Sequence, residues 1–341
     1  MGDVAKFALV GCGRISASHL DAIKNAPHAT LVAVCDIIEE KAKKAALENG
    51  LDKWYTDIEE MIENEKPDVC CILTPSGLHA ECAVRVAKHG VNVLCEKPLD
   101  VNEENMEKLV NVCKENNVKL GGIFQRRTFD AAILLRDMVK NGRLGKVTMG
   151  SAMLRYYRDQ QYYDSGEWRG TWELDGGGAL MNQGVHGVDM LDWIMGGIHS
   201  VTACCKTLVW DIDVEDTAVV LVKFKNGAMG TIECCTSGYP GGDTTFSITG
   251  TEGSVKIGDL GIIEWQMKDG SEKPETSGTL GGLNCGYHTS NYGHIMFVED
   301  MALAVLNDTE PMVTGLDAKR SAGLILAIYE SARTGKEVVI D

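Results

Sequence analysis

His186 follows Asn182 by four residues, Asp189 follows His186 by three, and Trp193 comes four later. On a helix turning about 100° per residue these positions share one narrow face, beside an apolar face of Met181, Val185 and Val188. A helix that merely packed would carry leucine there, so the polar stripe predicts a helix lining a pocket. An imidazole takes up and returns a proton near neutral pH, which makes His186 a candidate general base. The second candidate is Lys97, in the run "CEKPL", where the following Pro98 keeps it out of helical geometry. An ammonium at a strand end can hydrogen-bond an oxygen and stabilise negative charge as it develops. Facing one polar ligand, the two could stabilise charge on an oxygen and move a proton.

A second local pattern concerns a bound cofactor. "FALVGCGRIS" sets Gly11 and Gly13 directly after a β-branched run and before a helical pattern. In such a turn the first glycine makes the bend, the second admits a pyrophosphate to the backbone, and the helix N-terminus supplies amides and partial positive charge. Ser16 stands where this fingerprint has its third glycine. The next run, "LVAVCD", closes on Asp36, where an acid accepts hydrogen bonds from an adenosine ribose. A carboxylate there repels the extra phosphate of NADP, and Ile37 and Ile38 offer no cation to receive it. The expected cofactor is NAD.

The elements that must position these groups change rhythm along the 341 residues. Up to about Phe124, short β-branched runs alternate with helical patterns: "FALVG", residues 15–25, "TLVAVCD", 39–49, "DVCCILT", 78–88, "VNVLCEK", 102–115 and "VKLGGIF". That alternation predicts a parallel sheet covered on both faces, a doubly wound dinucleotide fold. Beyond it, a helix over 128–139 leads into "KVTMGSAMLRYY", the polar helix, and the strand-like runs "VTACCKTLVW", "DTAVVLVKF", "GAMGTIECC", "TTFSITG" and "GSVKIG". Short turns such as "KNG" and "TEG" make these antiparallel neighbours. Helices over 292–306 and 317–333 and the run "KEVVI" close the chain. The expected organisation is α/β throughout: a Rossmann domain over 1–124 and a second α/β domain with a large, mostly antiparallel open sheet over 125–341, whose last helices can pack back on the first.

Bulk properties narrow the setting. A net charge of −16 repels phosphate backbones and anionic membranes, and no basic patch offsets it, so neither nucleic acid nor membrane is an expected partner. Three pairs of adjacent cysteines, Cys70/Cys71, Cys204/Cys205 and Cys234/Cys235, fall in strand-like runs, where neighbours point to opposite faces and cannot share a metal. No metal site is expected. With an N-terminus that enters a strand directly, the twelve cysteines read as reduced thiols in the cytoplasm. The glycine-rich stretch 277–286 reads as a loop near a site or a connector, and His288 and His294 as pocket rim or helix start.

"VGCGRIS", "TPSGLHAE", "CEKPL" and "GGGALMNQGVHGVDMLDW" occur in an order that resembles the glucose-fructose oxidoreductase and inositol dehydrogenase (Gfo/Idh/MocA) family, and "PMVTGLDAKRSAGLILAIYESARTGKEV" resembles that family's close. The resemblance implies an NAD(P)-dependent dehydrogenase acting on a secondary hydroxyl of a sugar, nucleotide sugar or cyclitol, assembled as a homodimer or homotetramer through the open sheet. By family position Lys97 corresponds to the active-site lysine and His186 to the catalytic histidine. Asn182 stands where inositol dehydrogenases often have aspartate, and an amide can orient a partner but cannot relay a proton. Gly11, Gly13, Arg14, Ile15, Asp36, Thr74, Pro75, His79, Glu96, Lys97, Trp168 and Arg169 are then the candidate cofactor contacts. Asp189 reads as a residue that fixes the helix, and Arg155, Arg158, Tyr162 and Tyr163 as a solvated strand end able to receive a phosphate or carboxylate. The wording of "YYDSGEWRGTWELDGGGALMNQGVH" is similar to that of members oxidising UDP-N-acetylglucosaminuronate. Two rival readings are an NAD-dependent glycosidase working by transient oxidation and elimination, which releases sugar without net NADH, and a non-catalytic NAD-sensing protein.

Overall fold

The computed structural model describes residues 3–276 and 291–340. The stretch 277–286 and His288, singled out above, lie outside the described residues. The chain divides into two compact units, Met1–Gln125 with Asn291–Arg320, and Arg126–Ser290 with Ser321–Asp341.

In the first unit β1 (Ala5–Val10), β2 (Ala29–Cys35), β3 (Val69–Ile72), β4 (Asn92–Cys95) and β5 (Leu120–Gly122) form one parallel sheet in the order β2-β1-β3-β4-β5. Consecutive residues of β3 and of the inner part of β1 are all buried, which shows that both faces are covered. The covering helices are α1 (Ser16–Asn25), α2 (Glu39–Glu48), α3 (Ile58–Glu65), α4 (His79–Lys88) and α5 (Glu103–Glu115). Helix α3 was not foreseen, although Asp57 caps it and Ile58, Met61 and Ile62 form its buried side. The sheet order reverses between β1 and β3, the point where open α/β sheets bind ligands.

Residues 291–320, among the closing helices that the sequence allowed to pack back on the first domain, cluster with this parallel sheet. Further along the chain, α9 (Tyr292–Asn307) packs on α1, β1, β2 and β4 through Phe297, Val298 and Met301, and Gly121 pairs with Thr314.

The second unit is built on an eight-stranded sheet. Its strands are β6 (Val147–Arg155), β7 (Ile198–Lys206), β8 (Thr217–Phe224), β9 (Met229–Cys235), β10 (Thr245–Gly250), β11 (Gly253–Gly258), β12 (Gly261–Met267) and β13 (Val338–Val339), in the order β12-β11-β10-β6-β9-β8-β7-β13. Every pairing is antiparallel except β6 with β9. In β8 Ala218, Val220, Val222 and Phe224 are buried while Val219 and Leu221 are exposed, so one face packs and the other stays open. Helices α6 (Asp130–Lys140) and α8 (Val185–Met195) pack together, and α8 lies on β6; α7 (Gln160–Asp164) is a short turn, and α10 (Gly315–Thr334) begins in the first unit and ends in this one. The strand predicted to run through Trp210 stops at Lys206, because the amides of Leu208, Val209 and Trp210 all bond the Asp216 carboxylate.

The eleven described cysteines are free. Burial pushes the thiols of Cys12, Cys35, Cys113 and Cys205 up to about 12, and those of Cys70, Cys71, Cys95 and Cys234 also upward. Among the described residues no helix is long and apolar enough to cross a membrane.

The polar helix starts as a π turn, Ala179–Gly184, before α8. Its free amides are held by Glu215, whose buried carboxylate accepts from Gly178 N at 3.0 Å, Leu180 N at 2.7 Å and the Tyr329 hydroxyl at 2.9 Å. Glu215→Ala leaves those three donors unmet and is expected to cost about 3 kcal/mol. Urea unfolding followed by tryptophan fluorescence checks this; an unchanged midpoint would refute it.

Candidate active site

At the sheet's switch point Gly11 adopts φ +101°, and a Cβ built on it would lie 2.7 Å from the Leu73 carbonyl oxygen at the end of β3. Only glycine allows the two strand ends to approach so closely. A Cβ built on Gly13 meets nothing within 4 Å, so the turn leaves open space over its amides at the start of α1. The Ser16 hydroxyl donates to the Gly13 carbonyl at 2.6 Å, tying the turn where a third glycine would have packed. Asp36 accepts from Cys12 N and from Ile38 N, each at 2.8 Å, and is thereby aimed along the glycine turn. Arg14 is exposed and Ile15 half-buried beside it, and Ile37 is 89 % exposed. An open cradle over free helix amides, a fixed carboxylate and an exposed apolar rim fit a dinucleotide's pyrophosphate, ribose and base.

Two loops complete this edge. Thr74 and Pro75, both half-buried, follow β3, and Glu96, Lys97 and Pro98 follow β4, with the Lys97–Pro98 bond cis. His79, buried at the head of α4, sits between them, with Nδ1 2.6 Å from the Pro98 carbonyl and Nε2 2.8 Å from the Thr74 carbonyl; burial lowers its pKa, and the neutral ring donates to one of the two. Asp100 fastens the second loop by accepting from Ala80, Val101 and Asn102 amides.

Glu96 points inward. Its Oε1 lies 2.8 Å from His19 Nε2 and 3.5 Å from His294 Nε2, and its Oε2 accepts from Lys97 N at 3.1 Å. Burial opposes its ionisation, but the bonds from His19 and His294 prevail and hold the carboxyl well below the usual range. Burial lowers the pKa of His19, keeping that ring neutral. These three are the one group among the described residues whose donors lie close enough to ligate a metal. The 2.8 Å contact is a hydrogen bond; two ligands on a tetrahedral zinc with bonds of about 2.0 Å stand roughly 3.3 Å apart. Nothing in the sequence spacing of positions 19, 96 and 294 announced this cluster.

In the second unit the polar stripe divides. Asp189 is buried and takes Arg127 in a two-point pair, 2.9 Å to Nε and 2.6 Å to Nη2, with Ser321 donating as well. Trp193 stacks under Arg127 and Arg136, with Cζ 5.6 and 4.4 Å from a ring centroid. These two residues fix the helix. Asn182 and His186 stand at and just after the π turn, Asn182 half-buried and His186 buried. The Asn182 amide donates to Asp175, a buried carboxylate that also accepts from Gly170 N at 2.9 Å. Asp175 was missed because it precedes "GGG" in a loop without periodicity; only its position before the glycines hints at it.

Trp168 and Arg169, half-buried, join Tyr162, Gln183 and Arg158 in a second cluster. Arg169 lies over the rings of Tyr162 at 4.3 Å and Trp168 at 4.6 Å, and Gln183 Nε2 bonds the Tyr162 hydroxyl at 3.0 Å. Tyr163 is buried against Thr236 and Arg155 pairs with Glu233, so neither joins it.

Comparison with known proteins follows this division. Residues 5–123 match the model described as oxidoreductase family, NAD-binding Rossmann fold, and residues 133–256 match the GFO/IDH/MocA C-terminal domain. The solved structure of the WlbA dehydrogenase from Bordetella pertussis, in complex with NADH and UDP-GlcNAcA, is 34% identical, with 99% of each chain covered and a TM-score of 0.88. The chain belongs to the GFO/IDH/MocA oxidoreductase family. Other family members similar to it include the scyllo-inositol 2-dehydrogenase (NAD(+)) of Bacillus subtilis, 26% identical over 98% of this chain and 96% of the relative. The myo-inositol 2-dehydrogenase of Thermotoga maritima is 28% identical over 73% and 74%. As a GFO/IDH/MocA oxidoreductase the protein uses NAD, and its glycine turn gives a paired test. Gly11→Ala forces a Cβ onto the Leu73 carbonyl and is expected to cost about 2 kcal/mol or more in thermal stability. Gly13→Ala should leave stability within about 1 kcal/mol, the range for glycine replacement without a clash, yet weaken NADH binding severalfold by fluorescence titration. Equal losses in both variants would contradict the open cradle.

Proposed function

We propose that the protein oxidises a secondary hydroxyl of a nucleotide sugar, with Lys97 and His186 serving that hydroxyl. The observation that carries this reading is the 34% identity, spread over 99% of the chain, to a dehydrogenase whose structure holds NADH and UDP-GlcNAcA. NAD, when bound, supplies the hydride acceptor. The protein's own groups do the rest. Lys97 stabilises negative charge growing on the hydroxyl oxygen. His186 accepts the proton. Asn182, which cannot itself relay a proton, is oriented by Asp175 and serves to position rather than to react. Gly11, Gly13, Arg14, Ile15, Asp36, Thr74 and Pro75 bind the cofactor, with Trp168 and Arg169 at the substrate end. Glu96 and His79 act from behind, by fixing the loops that carry Lys97 and Thr74.

The test is NADH formation with UDP-GlcNAcA, myo-inositol and scyllo-inositol. Turnover is expected with the nucleotide sugar. Lys97→Ala and His186→Ala should each lower kcat by about 100-fold or more while NADH affinity changes little. Sugar release without net NADH would instead support the glycosidase reading. Turnover unaffected by either variant would remove both residues from the chemistry.

The free thiols support a reducing, cytoplasmic setting, which titration of those thiols in protein taken from the periplasm and the cytoplasm would check. The open sheet face supports a homo-oligomer. Met149 pairs with Met229 across β6 and β9, and Val219 and Leu221 share that open face with Thr231, Glu233 and Lys223, Leu221 being 61% and Met229 63% exposed. A second copy of the chain covers it in this reading. Light scattering should give a dimer or tetramer for the wild type and a smaller species for Leu221→Glu; a wild-type monomer at micromolar concentration overturns it.

A further inference from the structure

Two arginines in the second unit lack the acidic partner that the others beside them have. Arg126 lies 3.7 Å from Asp259, Arg127 grips Asp189 and Arg155 stands 3.7 Å from Glu233. Among the described residues no carboxylate lies within 4.0 Å of Arg158 or Arg169, although acids outnumber bases by 49 to 33. The acids of the surrounding loops are committed elsewhere: Asp159 to Tyr162 N, Asp164 to Gln160, and Asp175 to Gly170 N and Asn182.

Both guanidinium groups meet one phenol. Arg169 Nη1 donates to the Tyr162 hydroxyl and its Cζ sits 4.3 Å from that ring, while Arg158 Cζ sits 5.4 Å from the same ring. Gln183 locks the pair: its Oε1 accepts from Arg158 Nη2 at 2.8 Å and its Nε2 donates to the Tyr162 hydroxyl at 3.0 Å and to Asn182 Oδ1 at 2.7 Å. Arg158 Nη1 is spent on the Tyr157 carbonyl. A guanidinium carries five N–H donors, so most of the ten on this pair are not used by the described residues. Two half-buried cations gathered on one ring repel each other unless an anion lies between them, and planar forks match a carboxylate or phosphate in two-point contacts. Through Gln183 and Asn182 the cluster is joined directly to the turn that leads into His186.

We infer that Arg158, Arg169, Tyr162 and Gln183 form an oxyanion-binding subsite that selects negatively charged substrates over neutral sugars and cyclitols. It deepens the nucleotide-sugar reading above and rests on it for the link to turnover. The oxyanion is either the uronate carboxylate or the diphosphate of such a substrate.

The test uses NADH formation and isothermal titration on wild type, Arg158→Met, Arg169→Met and the double variant, with Arg169→Lys as a milder form should a methionine variant misfold. The ligands are UDP-GlcNAcA, UDP-GlcNAc, free N-acetylglucosaminuronate and myo-inositol. Each methionine variant is expected to raise KM or Kd for UDP-GlcNAcA by tenfold or more, and to weaken NADH and myo-inositol by a much smaller factor than UDP-GlcNAcA. If the carboxylate is the ligand, the variants also weaken free N-acetylglucosaminuronate and spare UDP-GlcNAc; if the diphosphate, the reverse. The proposal is overturned if variants with intact NADH binding keep UDP-GlcNAcA within twofold, or weaken charged and neutral ligands alike. Wild type that turns over only inositols fails the nucleotide-sugar reading. In that case titration with UDP and N-acetylglucosaminuronate decides the subsite, and no anion binding lost in the double variant overturns it too.

Discussion

A carboxylate kept charged in a buried place holds the cofactor-binding unit together. Glu96 joins His19 on α1, His294 on α9 and the backbone of Lys97 after β4. An ionised carboxyl in such surroundings is tolerable only while its hydrogen-bond donors stay in place, so the two helices and the loop must remain in register with one another. The consequence reaches Lys97, whose backbone is set by that bond, and Thr74, because the His79 ring is packed between the carbonyls of both loops. Residues separated by some two hundred positions are thereby drawn to one point.

The second unit uses the same device twice. The Arg127 and Asp189 pair, buried with Ser321, anchors the middle of the polar helix, while Glu215 and Asp175 hold its π turn and Asn182. Buried pairs of this kind contribute little net stability compared with an apolar core, but breaking one leaves a charge without a partner. They specify geometry. That is what any site requires when its groups have to meet a ligand within a narrow range of distance and angle.

Much of this was legible in the residues. The glycine turn and Asp36 stood out because one backbone geometry demands glycine and one position after a strand suits an acid, and both constraints are local. The strands of both sheets apart from β12 were legible from their β-branched runs, and β8 shows why: its buried and exposed residues alternate without a break. What escaped was non-local or aperiodic. The burial of β12 does not alternate, so it carried no strand signature. The π turn shifts the phase between Asn182 and His186, which a period of 3.6 cannot register. Asp189 was readable as a residue that fixes the helix, but its partner Arg127, 62 positions away, was not. The cluster of His19, Glu96 and His294 exists only once α9 folds against α1.

The cysteines have a chemical consequence. A thiol reacts with oxidants and electrophiles as its thiolate, and burial has raised most of the described thiols far above the pH at which thiolate is abundant. A protein that passes electron pairs between carbon and a nicotinamide therefore keeps its buried thiols protonated, and peroxide or alkylating agents would find their first targets on its surface, at exposed Cys204 among them.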